Sequence, residues 1–189
     1  MDRVTDYSMK SLCRHLMTAV SGLVGAYQVS TDFDWDKSPN PSNPGNQLIP
    51  RLTPFIGAVI MSDIDKPFTM GNILYEREIK IHLELCCQNH TQLMRLSSDV
   101  RQSLITAMNQ ETSSVGIPLY NYAVASGSYY ANAGTLQIEL GPTQYFGSDK
   151  SADQGNRKYL SITPIELSAF KDATATLLEN MGRVDVTDS

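Results

Sequence analysis

Cys86, Cys87 and His90 lie close together, and Cys13 and His15 form a second cysteine–histidine pair. Thiolates and imidazoles are the common ligands of zinc, but structural zinc sites hold them in short paired spacings such as Cys-x2-Cys or His-x3-His. Neither spacing is present. Free cysteine is among the most buried side chains, so the three cysteines read as core or interface residues. Their odd number makes no disulfide framework and fits a reducing compartment. Asp32, Asp34 and Asp36 alternate like the opening of a calcium loop. Such a loop needs Gly at its sixth position and Glu at its twelfth, where Lys37 and Asn43 stand. His82 and Cys86 could pair as base and nucleophile. Four residues along a strand nevertheless separate them by roughly 13 Å, too far for direct proton transfer. No Walker A, dinucleotide, Gly-x-Ser-x-Gly or His-Glu-x-x-His motif occurs. The expectation is therefore no catalytic residue, no metal and no cofactor. A small enzyme using the His82/Glu84/Cys86 face is kept as the minor alternative.

Two groups of side chains suit contact rather than catalysis. Glu78, Lys80, His82 and Glu84 alternate with apolar residues, which places four polar groups on one face of a strand. Such a face either opens to water or meets a neighbouring copy. Six of the nine tyrosines (Tyr120, Tyr122, Tyr129, Tyr130, Tyr145 and Tyr159) fall in the last third of the chain. Tyrosine is enriched at interfaces and is also a good strand former, so both readings stand. With the single tryptophan, Trp35, the candidate interface is Glu78, Lys80, His82, Glu84, Tyr120, Tyr122, Tyr129, Tyr130 and Trp35.

The elements that must position these residues follow from periodicity. Met9, Leu12, Cys13, Leu16, Val20, Leu23, Val24 and Tyr27 recur at three- and four-residue steps, which predicts a helix over 7–27. Asp6 or Ser8 would cap it. Five of the nine prolines lie between Pro39 and Pro54, so 30–53 reads as a long loop that orders on a partner. Residues 54–62 are apolar on both parities and predict a strand buried on both faces. A second loop is expected over 63–72. In 74–88, Ile79, Ile81, Leu83, Leu85 and Cys87 hold one parity and the polar row holds the other. A second helix is expected over 91–109, capped by Asn89 or Thr91. Leu136, Ile138 and Leu140 mark a later strand. Leu160 and Ile162 then set an even apolar parity that Ile165, Leu167 and Ala169 reverse, which suggests a bulge or an edge near Pro164. A short helix over 173–181 and an acidic tail, Val184–Ser189, would form a C-terminal extension over 171–189 after one domain spanning 1–170.

Composition narrows the function classes. The chain has 189 residues, 41% hydrophobic and only 19% charged, with a net charge of −5. That length builds its own core as a single domain. Non-specific nucleic-acid binding depends on neutralising phosphates, and no Lys/Arg run is present. The N-terminus carries no apolar run behind a basic patch, which argues against a signal peptide. The stretch Leu16–Tyr27 is too short and interrupted to span a bilayer. The low charge suggests a surface that neighbours cover.

The element order is the helix Ser8–Tyr27, a Pro-rich loop, the strand Pro54–Met61, the strand Arg77–Gln88, the helix Gln92–Met108, the segment Tyr120–Tyr130, and the strands Thr135–Leu140 and Tyr159–Ala169. This order resembles the tail terminator proteins of long-tailed bacteriophages over about 150 residues. The resemblance implies an α+β fold, a mixed or antiparallel sheet flanked by two main helices. It also implies a homo-oligomeric ring, a hexamer, that ends the tail tube and joins it to the neck and head connector. The partners would be tail tube and neck proteins, with a sheath as a further candidate. DNA would pass through the lumen without specific binding, and no membrane is involved. The protein would be made in the host cytoplasm and reside in the virion. A related neck or head-completion adaptor is the alternative, and a cytosolic interaction module outside any virus is another. The loop 30–53 and the tail 171–189 exceed the shorter members and would contact such partners.

Overall fold

The computed structural model describes residues 3–42, 48–67, 74–108, 116–120, 122, 132–147 and 159–172. The fold is α+β. Its elements are α1 (Arg3–Ala19), β1 (Gly25–Gln28), β2 (Lys37–Pro39), β3 (Leu48–Pro50), β4 (Phe55–Pro67), β5 (Leu74–Cys87), α2 (His90–Met108), β6 (Ile117–Tyr120), β7 (Asn132–Leu140), β8 (Gln144–Phe146) and β9 (Tyr159–Asp172). The main sheet runs β1-β4-β5-β9-β7-β6, with β8 also on β9, while β2 and β3 form a separate hairpin. Among the described strands only the β1–β4 pairing in the main sheet is parallel. The sheet curls, so that both of its end strands, β1 and β6, reach α1. Met9, Leu12 and Leu16 of that helix are fully buried as a result.

Both helices pack on one face of the sheet. The expected odd parity of β5 holds: Ile79, Ile81, Leu83, Leu85 and Cys87 are all buried there. On β4 the partners of Leu85, Leu83 and Ile81 are Ile56, Ala58 and Ile60, which share the helix-covered face. A bulge at Met61 then shifts the register, as an extra residue in one strand must. Beyond it Asp63 and Asp65 take the inward parity, beside Ile79 and Arg77. α2 begins as expected, with the Asn89 side chain accepting the Gln92 N–H at 2.8 Å.

Four expectations are corrected. The first helix ends at Ala19, and Tyr27 lies on a strand. Gly22 adopts φ +95°, a left-handed conformation in which glycine ends helices readily. Ser8 is no cap either, because its hydroxyl is buried and donates to Val4 C=O at 2.7 Å. The loop expected over 63–72 is strand through Pro67. In β9 there is no parity reversal: Ser161, Thr163, Ile165, Leu167 and Ala169 all point to the helix-covered side and are buried. Their register against β5 is unbroken, which turns Leu160 and Ile162 to the other face. Pro164 sits where β9 passes from pairing with β8 to pairing with β7. Its carbonyl accepts the Gly141 N–H at 2.8 Å. In an antiparallel strand N–H and C=O of one residue point the same way, so the donor missing from Pro164 would face that gap and not β5.

The fourth correction concerns 30–53. Among its described residues Trp35 packs on Gly57 and Phe55 of the main sheet, and β2 and β3 pair as a hairpin. Arg51 locks it down. Its guanidinium donates to Asp34 C=O at 2.9 and 2.7 Å and to Lys37 C=O at 2.8 Å. It also lies 4.2 Å from the centroid of Phe33 and 4.8 Å from that of Tyr27. Planar, multiply donating and weakly hydrated, arginine is suited to stack and bond at once. β9 runs to Asp172, two residues into the expected extension 171–189, and the helix expected over 173–181 lies outside the described residues.

Candidate functional site

The helices cover one face of the sheet, and the polar row of β5 lies on the opposite one, whose Phe55–Gly57 end is covered by Trp35. Neighbours across the sheet follow from the register. Lys80 stands between Ser62 and Glu166, and Glu139 follows Glu166 on β7. His82 stands between Val59 and Pro164, and Glu84 between Gly57 and Ile162. The four β5 residues expected to share one face do so.

Their environments differ. Glu78 is not an open, wet group: it is 6% exposed, salt-bridged to Lys66 and 3.5 Å from Lys80. The Lys66 hydrogen bond holds its carboxyl below the usual range, and the same bond raises Lys66. Lys80 also reaches Glu166 at 3.5 Å. Glu84 is half-buried, and burial pushes its carboxyl up, partly offset by His82. Two like charges, Glu139 and Glu166, stand directly opposite each other, an arrangement that is unfavourable unless a cation joins it. A shallow depression of about 370 Å³ opens beside them, lined by Met61, Lys80, His82, Pro164 and both glutamates. Met61 and Ile64 are 56% and 49% exposed on this side of the molecule.

Trp35 packs at the Gly57 end of this face. Its indole is half-buried over Gly57, with ring centroids 5.0 Å from Phe33 and 6.1 Å from Phe55. Tyr120 and Tyr122 lie against α1, on the other side of the sheet. The Tyr120 N–H donates to Ser11 Oγ at 3.0 Å, and the Arg14 guanidinium sits 4.4 Å over the Tyr120 ring. Tyr122 stacks on Tyr7 at 5.8 Å. Tyr145 hydrogen-bonds Ser97 at 3.2 Å, and Tyr159 meets the His90 ring at 6.2 Å. Tyr129 and Tyr130 lie outside the described residues. The seven described candidates therefore form no single site.

The chemistry-bearing residues are also placed. Cys13, Cys86 and Cys87 are free and buried. Burial pushes the Cys13 thiol up to about 12 and that of Cys87 to about 11, which keeps both protonated and unreactive. Cys86 shares a face with His82 and Glu84 but sits between Phe55 and Leu160. Asp34 accepts the N–H groups of Asp36 and Lys37 at 2.8 and 2.9 Å, so its carboxylate closes a turn. Among the described residues no group of three or more His, Cys, Asp or Glu is placed to hold a metal ion. Among them, no helix is long and apolar enough to cross a membrane.

Sequence reasoning missed a polar knot on the inner side. Arg77 pairs with Asp63 and, at 2.8 Å, with Asp65, while Thr5 of α1 donates to Asp63 at 2.8 Å. The knot ties the start of α1 to the β4–β5 arm. The only sequence signal for it was Arg77 on the otherwise apolar odd parity of β5. No protein-family model matches the chain, and no curated protein sequence matches it.

Proposed function

We propose that the protein is a structural virion component that forms a ring ending a phage tail tube. In this reading the ring joins the tube to the neck and lets DNA pass. The resemblance in element order supports it. So does the net charge of −5, which suits a lumen that does not grip phosphates. The observation that carries the reading is the sheet face around Lys80, His82 and Glu166, where a shallow depression opens beyond the end that Trp35 covers. There polar and charged groups are half-buried, beside exposed Met61 and Ile64. A face of this kind is suited to a polar, partly desolvated subunit contact. Copies joined head-to-tail through two different patches close into rings when the rotation permits. The hexameric count comes from the resemblance.

Sedimentation and particle imaging of the full chain test this reading. The expected result is a symmetric ring, broken to monomers by Lys80→Glu without loss of helix signal. A monomer at high concentration, with no ring at the head–tail joint of virions, refutes it.

A further inference from the structure

The two sides of β4 are covered unequally. β5 follows one side from Phe55 to Pro67. On the other side β1 pairs with Phe55–Ala58, and the Val29 N–H donates to Ala58 C=O at 3.0 Å. Beyond Ala58 no described strand lies on that side. An open edge is a template for a further strand. The segment leading into it, Phe55–Met61, is seven residues with no charge and no proline, which is the composition of cross-β assemblies. Met61 and Ile64 are large, apolar and exposed on the open stretch.

Four features of Met61–Pro67 oppose such pairing. The bulge at Met61 bends and twists the strand, so a straight neighbour cannot run on beside it. Ala58 turns its backbone groups to β1, and this direction alternates along a strand. Carried across the bulge by the register, the residues opposite Ile79, Arg77 and Tyr75 turn theirs to the open side. Pro67, opposite Tyr75, therefore withholds a donor where an added strand would need one. The bulge also turns Asp63 and Asp65 inward onto the Arg77 guanidinium. Their side chains keep 22% and 35% of their exposure, and a strand laid alongside would strip that water from them at a cost in free energy. Lys66 adds an exposed ammonium at the same edge.

We propose that Met61–Pro67 is a guard built into the strand, which keeps the open edge of β4 from pairing with the same edge of a second copy. It acts on the edge of the sheet, whereas the proposed ring contact uses the sheet face, so either can fail without the other.

Unguarding the edge in the full chain tests the proposal. Asp63→Val/Asp65→Val/Arg77→Leu/Pro67→Val restores the outward donor and replaces the ion pairs by apolar groups, an exchange that often leaves stability unchanged or higher. The expected result is an open-ended polymer that grows with concentration, binds thioflavin T and is lost to the pellet, while the wild-type chain gives no dye signal. A ring of fixed size gives none either, so the two assemblies are told apart. Adding Ile64→Lys, a second charge at an exposed edge position, should return the variant to solution. Trp35 emission and Tm equal to wild type before polymer appears show that the fold is kept. If the multiple variant does not fold, Pro67→Val alone decides, with slower growth of the same polymer expected. An unguarded variant that folds and stays soluble, polymer that Ile64→Lys leaves unaltered, or a dye signal from the wild-type chain overturns the proposal.

Discussion

Gly57→Ala should push Trp35 off the sheet. A Cβ added at Gly57 would lie 2.4 Å from Trp35 Cζ3's neighbour Cη2, 2.7 Å from Cζ3 itself and 3.0 Å from Val29 Cγ2. Carbon atoms pack at about 3.5–4.0 Å. The indole must therefore retreat by more than ~1 Å, and its contacts with Phe33 and Phe55 open. Each aromatic pair contributes about 0.5–1.5 kcal/mol beyond its buried area, so two pairs amount to about 2 kcal/mol. For a chain of this length that lowers Tm by roughly 4–8 °C. Trp35 is the only tryptophan, so its emission reports the event directly. The expected result is a red shift in the folded state together with the lower Tm. Trp35→Ala should cost at least as much, and adding Gly57→Ala to it should cost little more, because the clash has lost its partner. An unshifted emission maximum with an unchanged Tm in Gly57→Ala would refute the reasoning.

Two further predictions concern titratable groups. His15 is half-buried between the helices, its Nε2 takes no hydrogen bond among the described residues, and burial lowers its pKa, partly offset by a backbone bond at Ser103. The folded state then binds fewer protons than the unfolded one, so the denaturation midpoint should fall as pH drops below about 6.5; His15→Gln should flatten that slope, and an unaltered slope would sink the assignment. Cys13 and Cys87, with thiols pushed up to about 12 and about 11, should react with a maleimide at pH 7 only as fast as the protein unfolds; rapid labelling of native protein at either site would contradict their placement.

Local patterns were legible wherever a single face decides a side chain's fate. The odd parity of β5, the apolar stripe of α2 and its Asn89 cap all follow from residue spacing, and each holds in the structure. The errors arise where two elements share one signal. Leu23, Val24 and Tyr27 continue the helical spacing of α1, yet Gly22 turns the chain and Tyr27 joins a strand. Leu160 and Ile162 suggested an inward face, but the register against β5 puts Ser161 and Thr163 inward instead. Thr163 meets Thr143 there at 2.9 Å, which satisfies a hydroxyl that spacing alone cannot place.

The candidate interface divides in the same way. Spacing alone puts Glu78, Lys80, His82 and Glu84 on one face, because side chains alternate along any strand. What stands beside them is set by the packing of distant segments. It buries Glu78 under Lys66, sets Glu139 against Glu166, and turns Trp35 onto Gly57. It also carries Tyr120 and Tyr122 to the far side, against α1. These partners lie far apart along the chain, and their meeting depends on strand order and on the curl of the sheet. Periodicity describes one element at a time, whereas a site is made where several of them meet.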